Sequence, residues 1–376
     1  MIERKILLNP GPATTSDEVK MAMVVPDICP REQEFCDIMS SIKTDLPQVV
    51  NGGDDYTCVL FTSSGTGGVE AVITSSIPEN GKILVVENGA YGARMASIAE
   101  TYKIPVIRYK LAYGDFPDVS QVEQILLKDP TITHIGVIDH ETTTGMRNPV
   151  QALSDLAHQY GKEIIVDCIS SFAGVSIDLQ QWKAEYIISS ANKCVQGMAG
   201  LSFVIFRKEL MEKLKSNRNK RSFYFDIYSQ YEGFHSTGQM PFTPPVQVVY
   251  ALRKAIDLFF AETAEGRIKR YRTNYKLLSE GLQKLGFKLL LDEKYQSGLL
   301  IAVVEPANVE YDFSKMHDYL YNKGITIYPG KGAKELTFRL AILGDLYPED
   351  IEKSLKVMSE YLKTTGITKI KYEKYD

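Results

Sequence analysis

Across its first two thirds the sequence alternates short, nearly continuous runs of Val, Ile and Leu with segments of helix length. The runs 58–62, 82–86, 134–138, 163–167, 186–189 and 201–206 read as strands. Apolar on successive rather than alternate residues, they suit strands covered on both faces. Residues 69–76, 91–102, 119–128 and 150–160 read as the helices between them. This alternation predicts crossover units and an α/β fold built on a mostly parallel sheet. Near Val246 the pattern changes. Helical segments at 246–260, 267–285, 313–322 and 348–362 now flank strand-like runs at 288–291, 299–304, 326–328 and 336–340, which predicts a smaller C-terminal α+β domain. The expected division is a large domain at 16–250 and a small one at 251–376 joined by 1–15. No fixed-period repeat, low-complexity tract or Gly/Ser linker separates them, so the two are expected to pack together.

Composition excludes several classes of function. Hydrophobic residues at 44% and charged residues at 24% are those of a folded globular chain. The balance of 43 Lys+Arg against 47 Asp+Glu, or 43 − 47 = −4, does not suit nucleic acid or an anionic membrane as a partner. No apolar run approaches the roughly 18 residues of a membrane span. The start, Met1-Ile2-Glu3-Arg4-Lys5, reaches Asn9-Pro10-Gly11-Pro12 after three aliphatics, without the core of a signal peptide. Cys29, Cys36, Cys58, Cys168 and Cys194 are odd in number and form no C-x-x-C, so neither a disulfide framework nor a metal site is expected. A cytoplasmic protein is the expectation.

Three features carry chemistry. Thr62-Ser63-Ser64-Gly65-Thr66-Gly67-Gly68 lies between a strand and a helix. Its glycines would let the backbone approach an anion, and the free N–H groups of the helix start favour phosphate. Taken alone, the run is also an ordinary strand-to-helix turn, and it matches neither the P-loop nor G-x-G-x-x-G. Asp167 closes the apolar run 163–167, at the edge where open α/β sheets bind ligands, although such an Asp also serves as a cap or turn former. Lys193 follows the run 186–189 among Ser, Ala and Asn, where a lysine is also commonly the first solvated residue. Together the three ask for a ligand with a phosphate, a ring nitrogen that wants a carboxylate and an aldehyde that wants an amine. Pyridoxal 5′-phosphate is such a ligand, with Lys193 as its Schiff-base partner and Asp167 at its ring nitrogen. The spacing, 193 − 167 = 26, accommodates a connection and one further strand. Tyr91, in Asn88-Gly89-Ala90-Tyr91-Gly92, offers an aromatic face for the ring.

The runs Asn88-Gly89-Ala90-Tyr91-Gly92-Ala93-Arg94-Met95, Glu141-Thr142-Thr143-Thr144-Gly145-Met146, Ser189-Ser190-Ala191-Asn192-Lys193-Cys194 and Asn9-Pro10-Gly11-Pro12 resemble the 2-aminoethylphosphonate–pyruvate aminotransferase family, over essentially the whole chain. That family is similar in turn to the alanine–glyoxylate group of class V, fold-type I aminotransferases. The resemblance implies a seven-stranded large domain, a homodimer and an amino transfer from 2-aminoethylphosphonate to pyruvate. It also implies site roles: Ser64, Gly65 and Thr66 for the cofactor phosphate, Tyr91 stacked on the ring and Ile169 on the opposite face. Thr144 would bond the phenolic oxygen, Asp167 the pyridinium, and Lys193 the aldehyde. Thr243 would reach the phosphate of the neighbouring subunit, and Arg339 would fork onto the substrate carboxylate. Backbone N–H groups near Gly11 are candidates for a phosphonate. The stretch Pro26-Asp27-Ile28-Cys29-Pro30-Arg31-Glu32 departs from the acidic and aromatic stretch of some members. Arg31 there is either a further phosphonate fork or a surface loop residue. The basic run 213–221 reads as a solvated helix end. Rival readings are an alanine– or serine–glyoxylate transaminase and a non-enzymatic α/β protein gripping another phosphate.

Overall fold

The computed structural model describes residues 3–217, 221–333 and 335–372. Seven strands form its main sheet: β1 (Tyr56–Phe61), β2 (Ile83–Glu87), β3 (Val106–Lys110), β4 (His134–Ile138), β5 (Glu163–Asp167), β6 (Tyr186–Ser190) and β7 (Ser202–Arg207). Their spatial order is β1-β7-β6-β5-β4-β2-β3. β7 runs antiparallel to β1 and β6, and the other neighbours are parallel. Successive side chains along each strand enter different cores, which is why the runs read as continuously apolar. On β1, Val59 and Phe61 join one core with Val69 and Val72 of helix α1 (Gly65–Ser76). Cys58 and Leu60 join the other, with Met39 and Leu252. Helix α2 (Ala90–Thr101) follows β2 on the α1 side, with Met95 and Ala96 buried there.

Helices α3 (Val246–Glu262) and α4 (Ala264–Lys284) lead into the C-terminal third, and the expected boundary at 250 falls inside α3. Beyond them β8 (Leu300–Val304) and β9 (Thr337–Ala341) pair antiparallel, and the short strand Tyr328–Pro329 extends the sheet beside β9. Helix α5 (Pro348–Thr364) covers this part. Ile6–Leu7 pairs in parallel with Ile325–Thr326, which ties the N-terminal segment to the C-terminal part.

Several elements differ from the expectations. β3 is not among the strands read from the sequence; it is the edge strand, half-buried, and carries Arg108 and Lys110. Residues 288–291 form only an isolated bridge, Leu289 to Val303, because the Lys288 N–H is taken by the Tyr372 hydroxyl. The run 326–328 splits into Ile325–Thr326 and Tyr328–Pro329, which join different sheets. Helices Gln33–Gln48 and Ile227–Thr237 are additional. Of the basic run at 213–221, residues 218–220 lie outside the described residues, as do Met1, Ile2, Lys334 and the last four residues of the expected small domain. Lys213 ends up paired with Glu163.

A buried arginine ties the C-terminal part to the segment that follows β6. Arg267 of α4 is 1% exposed, donates from Nη1 to the Cys194 carbonyl at 2.8 Å and pairs through Nε with Glu262. Glu262 also accepts from Arg270 Nε at 2.7 Å, so it keeps one cation when the other is removed. We therefore expect Arg267→Ala to cost about 1.5–3 kcal/mol, the range for one hydrogen bond to a charged group, rather than the larger penalty of an orphaned buried charge. Denaturant unfolding of wild type and variant measures this.

Candidate active site

Each functional segment leaves a strand at the same edge of the main sheet. β1 ends at Phe61, and the turn through Thr62, Ser63 and Ser64 opens α1 at Gly65. Ser64 stands at the N-cap without a side-chain capping bond. The N-terminal N–H groups of α1 and the Ser64 and Thr66 hydroxyls make a donor set suited to a phosphate. A Cβ at Gly65 would lie 2.6 Å from Ile169 Cδ1, so the absence of a side chain lets Ile169 close over the turn. Asp167 is the last residue of β5. β6 ends at Ser190, and Lys193 follows three residues later. Ser64, Gly65 and Thr66 line one cavity of about 190 Å3 together with Tyr91. Asp167, Ile169 and Lys193 line the same cavity.

Lys193 Nζ donates to the Pro10 carbonyl at 2.7 Å. Gly11 has φ +141° and a Cβ there would lie 2.0 Å from Nζ, so a side chain at this position would displace the amine. Burial lowers the Lys193 pKa, against the opposing pull of Tyr91 and Asp167, and the Arg339 charge lowers it further. Asp167 is 6% exposed, and burial pushes its carboxyl up to about 7. The Ile169 N–H donates to its Oδ1 at 2.8 Å and opposes that shift, while Glu141 adds to it. A buried carboxylate short of cationic partners is what a protonated ring nitrogen would neutralise. Thr144 Oγ1 is buried with no hydrogen-bond partner, a free hydroxyl for a phenolic oxygen. On both counts the residues fit pyridoxal phosphate.

Glu141, read in the sequence only as part of a longer run, organises this region. Its Oε2 accepts from the backbone N–H groups of Tyr91 at 3.1 Å and Gly92 at 3.2 Å, the first turn of α2. Its Oε1 accepts from Thr143 N–H at 3.0 Å and the Thr143 hydroxyl at 2.5 Å. The carboxylate therefore ties the Tyr91 helix to the Thr144 loop, and burial pushes its own pKa upward. Arg94 is a second residue the sequence reading passed over. Its guanidinium lies 4.8 Å from the Tyr91 ring centre and Nη1 donates to Thr66 Oγ1 at 3.2 Å. Its position one turn after Tyr91 was the available signal.

Arg339 is 6% exposed, donates to the Pro329 carbonyl at 3.0 Å and the Thr142 carbonyl at 3.1 Å, and lies beside the Tyr91 phenol. Burial lowers its pKa. Thr243 is exposed, and its carbonyl accepts from Thr62 Oγ1 at 3.5 Å. Arg31 is exposed and bonded to Gln239 Oε1 at 2.6 Å.

The sheet order, with Ser64–Thr66, Asp167 and Lys193 lining one cavity, is that of an α/β protein of the pyridoxal-phosphate-dependent fold-type I kind. The family model described as aminotransferase class-V matches residues 20–342, and the chain belongs to that family, whose members depend on this cofactor. The chain is 40% identical over 351 residues to a 2-aminoethylphosphonate–pyruvate transaminase of Vibrio vulnificus, covering 93% of this chain and 95% of the relative. A Klebsiella pneumoniae protein of the same description is 40% identical, with 92% and 94% covered. Among solved structures, ureidoglycine–glyoxylate aminotransferase from Bacillus subtilis superposes with a TM-score of 0.89 at 22% identity, covering 100% of this chain and 96% of that one. Pyridoxamine–pyruvate aminotransferase from Mesorhizobium loti also gives 0.89 at 22%, covering 97% and 93%.

The raised carboxyl of Asp167 has a stability signature in the cofactor-free protein. The folded state holds this proton more tightly than the unfolded chain, whose carboxyl titrates near 3.8. The stabilisation is therefore complete below about 3.8 and is lost as pH rises through about 7. Asp167→Asn should flatten the decline in melting temperature across that window. Melting curves of the two cofactor-free proteins between pH 4 and pH 8 check the sign.

Proposed function

We propose that this chain is an aminotransferase that moves the amino group of 2-aminoethylphosphonate to pyruvate, giving phosphonoacetaldehyde and alanine. The observation that carries the reading is the convergence of Lys193, Asp167 and the Ser64–Thr66 turn on one cavity beside Arg339. The shared description of the 40% identical relatives supplies the choice of donor. It favours this donor over the glyoxylate-type rivals, whose solved representatives share the fold at 22–24% identity.

In this reading Ser64, Gly65 and Thr66 hold the cofactor phosphate, Tyr91 and Ile169 sandwich the ring, Thr144 bonds its phenolic oxygen and Asp167 its nitrogen. Pyridoxal phosphate supplies an aldehyde to which amines condense and a ring that accepts electrons from the substrate carbon. Lys193 anchors it through Nζ. Once displaced by substrate, the same amine is a base, because burial favours its neutral form. With its neutral form favoured, Lys193 Nζ would be the group in this cavity able to accept and return a proton beside the bound cofactor. Asp167, whose carboxyl burial pushes up to about 7, would be held ionised beside a cationic ring nitrogen and would keep that nitrogen protonated. Arg339 offers pyruvate a planar fork. Thr243 completes the phosphate site of a second subunit, which makes the working enzyme a homodimer, and the cytoplasm is its compartment. The large unit at 16–250 carries the cofactor and the small unit at 251–376, with 1–15, brings Arg339 and Gly11 to it. Gly11 contributes a backbone N–H to the substrate anion.

Lys193→Ala should lower both half-reactions by at least about 10^2–10^4-fold, the range for a lost general acid–base group, while cofactor binding survives through the phosphate turn. Stopped-flow absorbance with 2-aminoethylphosphonate and with L-alanine measures it, and near-normal turnover would refute the assignment. Arg339→Ala should impair both half-reactions by about 1.5–3 kcal/mol, roughly ten- to a hundredfold in kcat/KM. A wild type that accepts L-alanine but not the aminophosphonate would return the donor to the glyoxylate-type rivals.

A further inference from the structure

The two substrates of the proposed reaction end in different anions. A carboxylate is planar and carries one charge, which one guanidinium satisfies through two parallel bonds. A phosphonate is tetrahedral, with three oxygens and up to two charges, so one fork leaves an oxygen and a charge unmatched. Arg31, the sequence-level candidate for that second cation, already has its guanidinium bonded to Gln239 Oε1. Arg94 is nearer but donates to Thr66 Oγ1, which directs its charge to the cofactor-phosphate end.

Lys331 differs from both. It lies in the loop between the short strand Tyr328–Pro329 and β9, the hairpin whose strands pair Tyr328 with Arg339. The hairpin is closed by the Gly330 N–H donating to the Thr337 carbonyl at 2.6 Å, and Arg339 donates to the Pro329 carbonyl at 3.0 Å. On the far side, Gly332 packs closely enough on Tyr113 that a Cβ there would lie 3.0 Å from the ring. The loop is thereby pinned at both ends. Lys331 Nζ is 5.5 Å from the Tyr91 ring centre, the same ring whose phenol adjoins Arg339. Among the described residues Lys331 makes no ion pair and stays exposed. Two cations of one hairpin thus meet at one aromatic ring, and only Arg339 has acceptors of its own.

We propose that Lys331 is the specificity-determining cation for the phosphonate: Arg339 binds either anion, and Lys331 takes the oxygen and the charge that only the phosphonate brings. This inference rests on the aminophosphonate reading given above. Lys331→Ala should raise the half-saturation concentration of the holoenzyme for 2-aminoethylphosphonate about tenfold, as for loss of one charge-assisted contact, and leave that for L-alanine within about twofold. Lys331→Arg should restore the difference. Because Lys331 is exposed, about 0.5 M KCl should shrink the gap between wild type and variant, which a merely structural defect would not do. Equal shifts for the two donors, or no shift for either, would overturn the proposal. If the wild type did not react with 2-aminoethylphosphonate at all, the function reading would fail instead. Titrating the cofactor absorbance with ethylphosphonate and with propionate would then still decide the role of Lys331. Selective loss of ethylphosphonate binding in Lys331→Ala supports it, and parallel behaviour of the two anions overturns it.

Discussion

The structure depends on holding two ionisable groups, a buried Asp167 and a half-buried Lys193, in one cavity. Burial lowers the amine and raises the carboxyl, so each is pushed toward its neutral form. Among the described residues Lys193 Nζ bonds only a backbone carbonyl, and the Asp167 carboxyl only a backbone N–H. Stability alone would replace both with apolar residues. What they offer instead is an amine whose neutral form burial favours and a carboxyl whose anion a cationic ring nitrogen would favour. The surrounding fold is arranged to keep that pair in place.

Adjacent strands set the spacing. Asp167 ends β5, and β6 beside it delivers Lys193 after a short turn. The amine is then confined by Gly11, from a segment that Ile6–Leu7 anchors to the C-terminal part. Arg267 fastens the Cys194 carbonyl, next in the chain to Lys193, to α4. Glu141 does the same service for the ring-binding face, joining the first turn of α2 to the Thr143–Thr144 loop through one carboxylate. The Ile6–Leu7 pairing and Arg267 link the surroundings of Lys193 to the part that carries Arg339, and Arg339 itself donates to the Thr142 carbonyl in the loop that Glu141 braces. The position of the substrate fork relative to the amine is thus a property of the whole chain rather than of one loop.

Much of this was legible in the sequence, for identifiable reasons. β4 and β5 agree with the expected runs residue for residue, because central strands must be apolar on both faces and stop where the polar edge begins. β3 escaped because an edge strand is half-exposed and tolerates Arg108 and Lys110. The helix Gln33–Gln48 carried a usable signal in Phe35, Met39, Ile42 and Leu46, at spacings of four, three and four. Ser64, Asp167 and Lys193 could be singled out because each closes or follows an apolar strand. Lys331 could not, since its meaning comes from Tyr91, a partner distant in sequence, whereas Arg94 carried a signal in standing one turn after Tyr91. The partners of Arg31 were equally out of reach, because Gln239 lies 208 residues away.

The central claim is that one amine, Lys193 Nζ, holds the cofactor and handles the proton. Reducing the cofactor-loaded protein with borohydride and mapping the pyridoxyl label by peptide mass spectrometry tests it most directly. The account predicts a single label, on the peptide carrying Lys193, and loss of that label in the presence of saturating amino donor. A label on another lysine, or none in a protein that still transaminates, would contradict it.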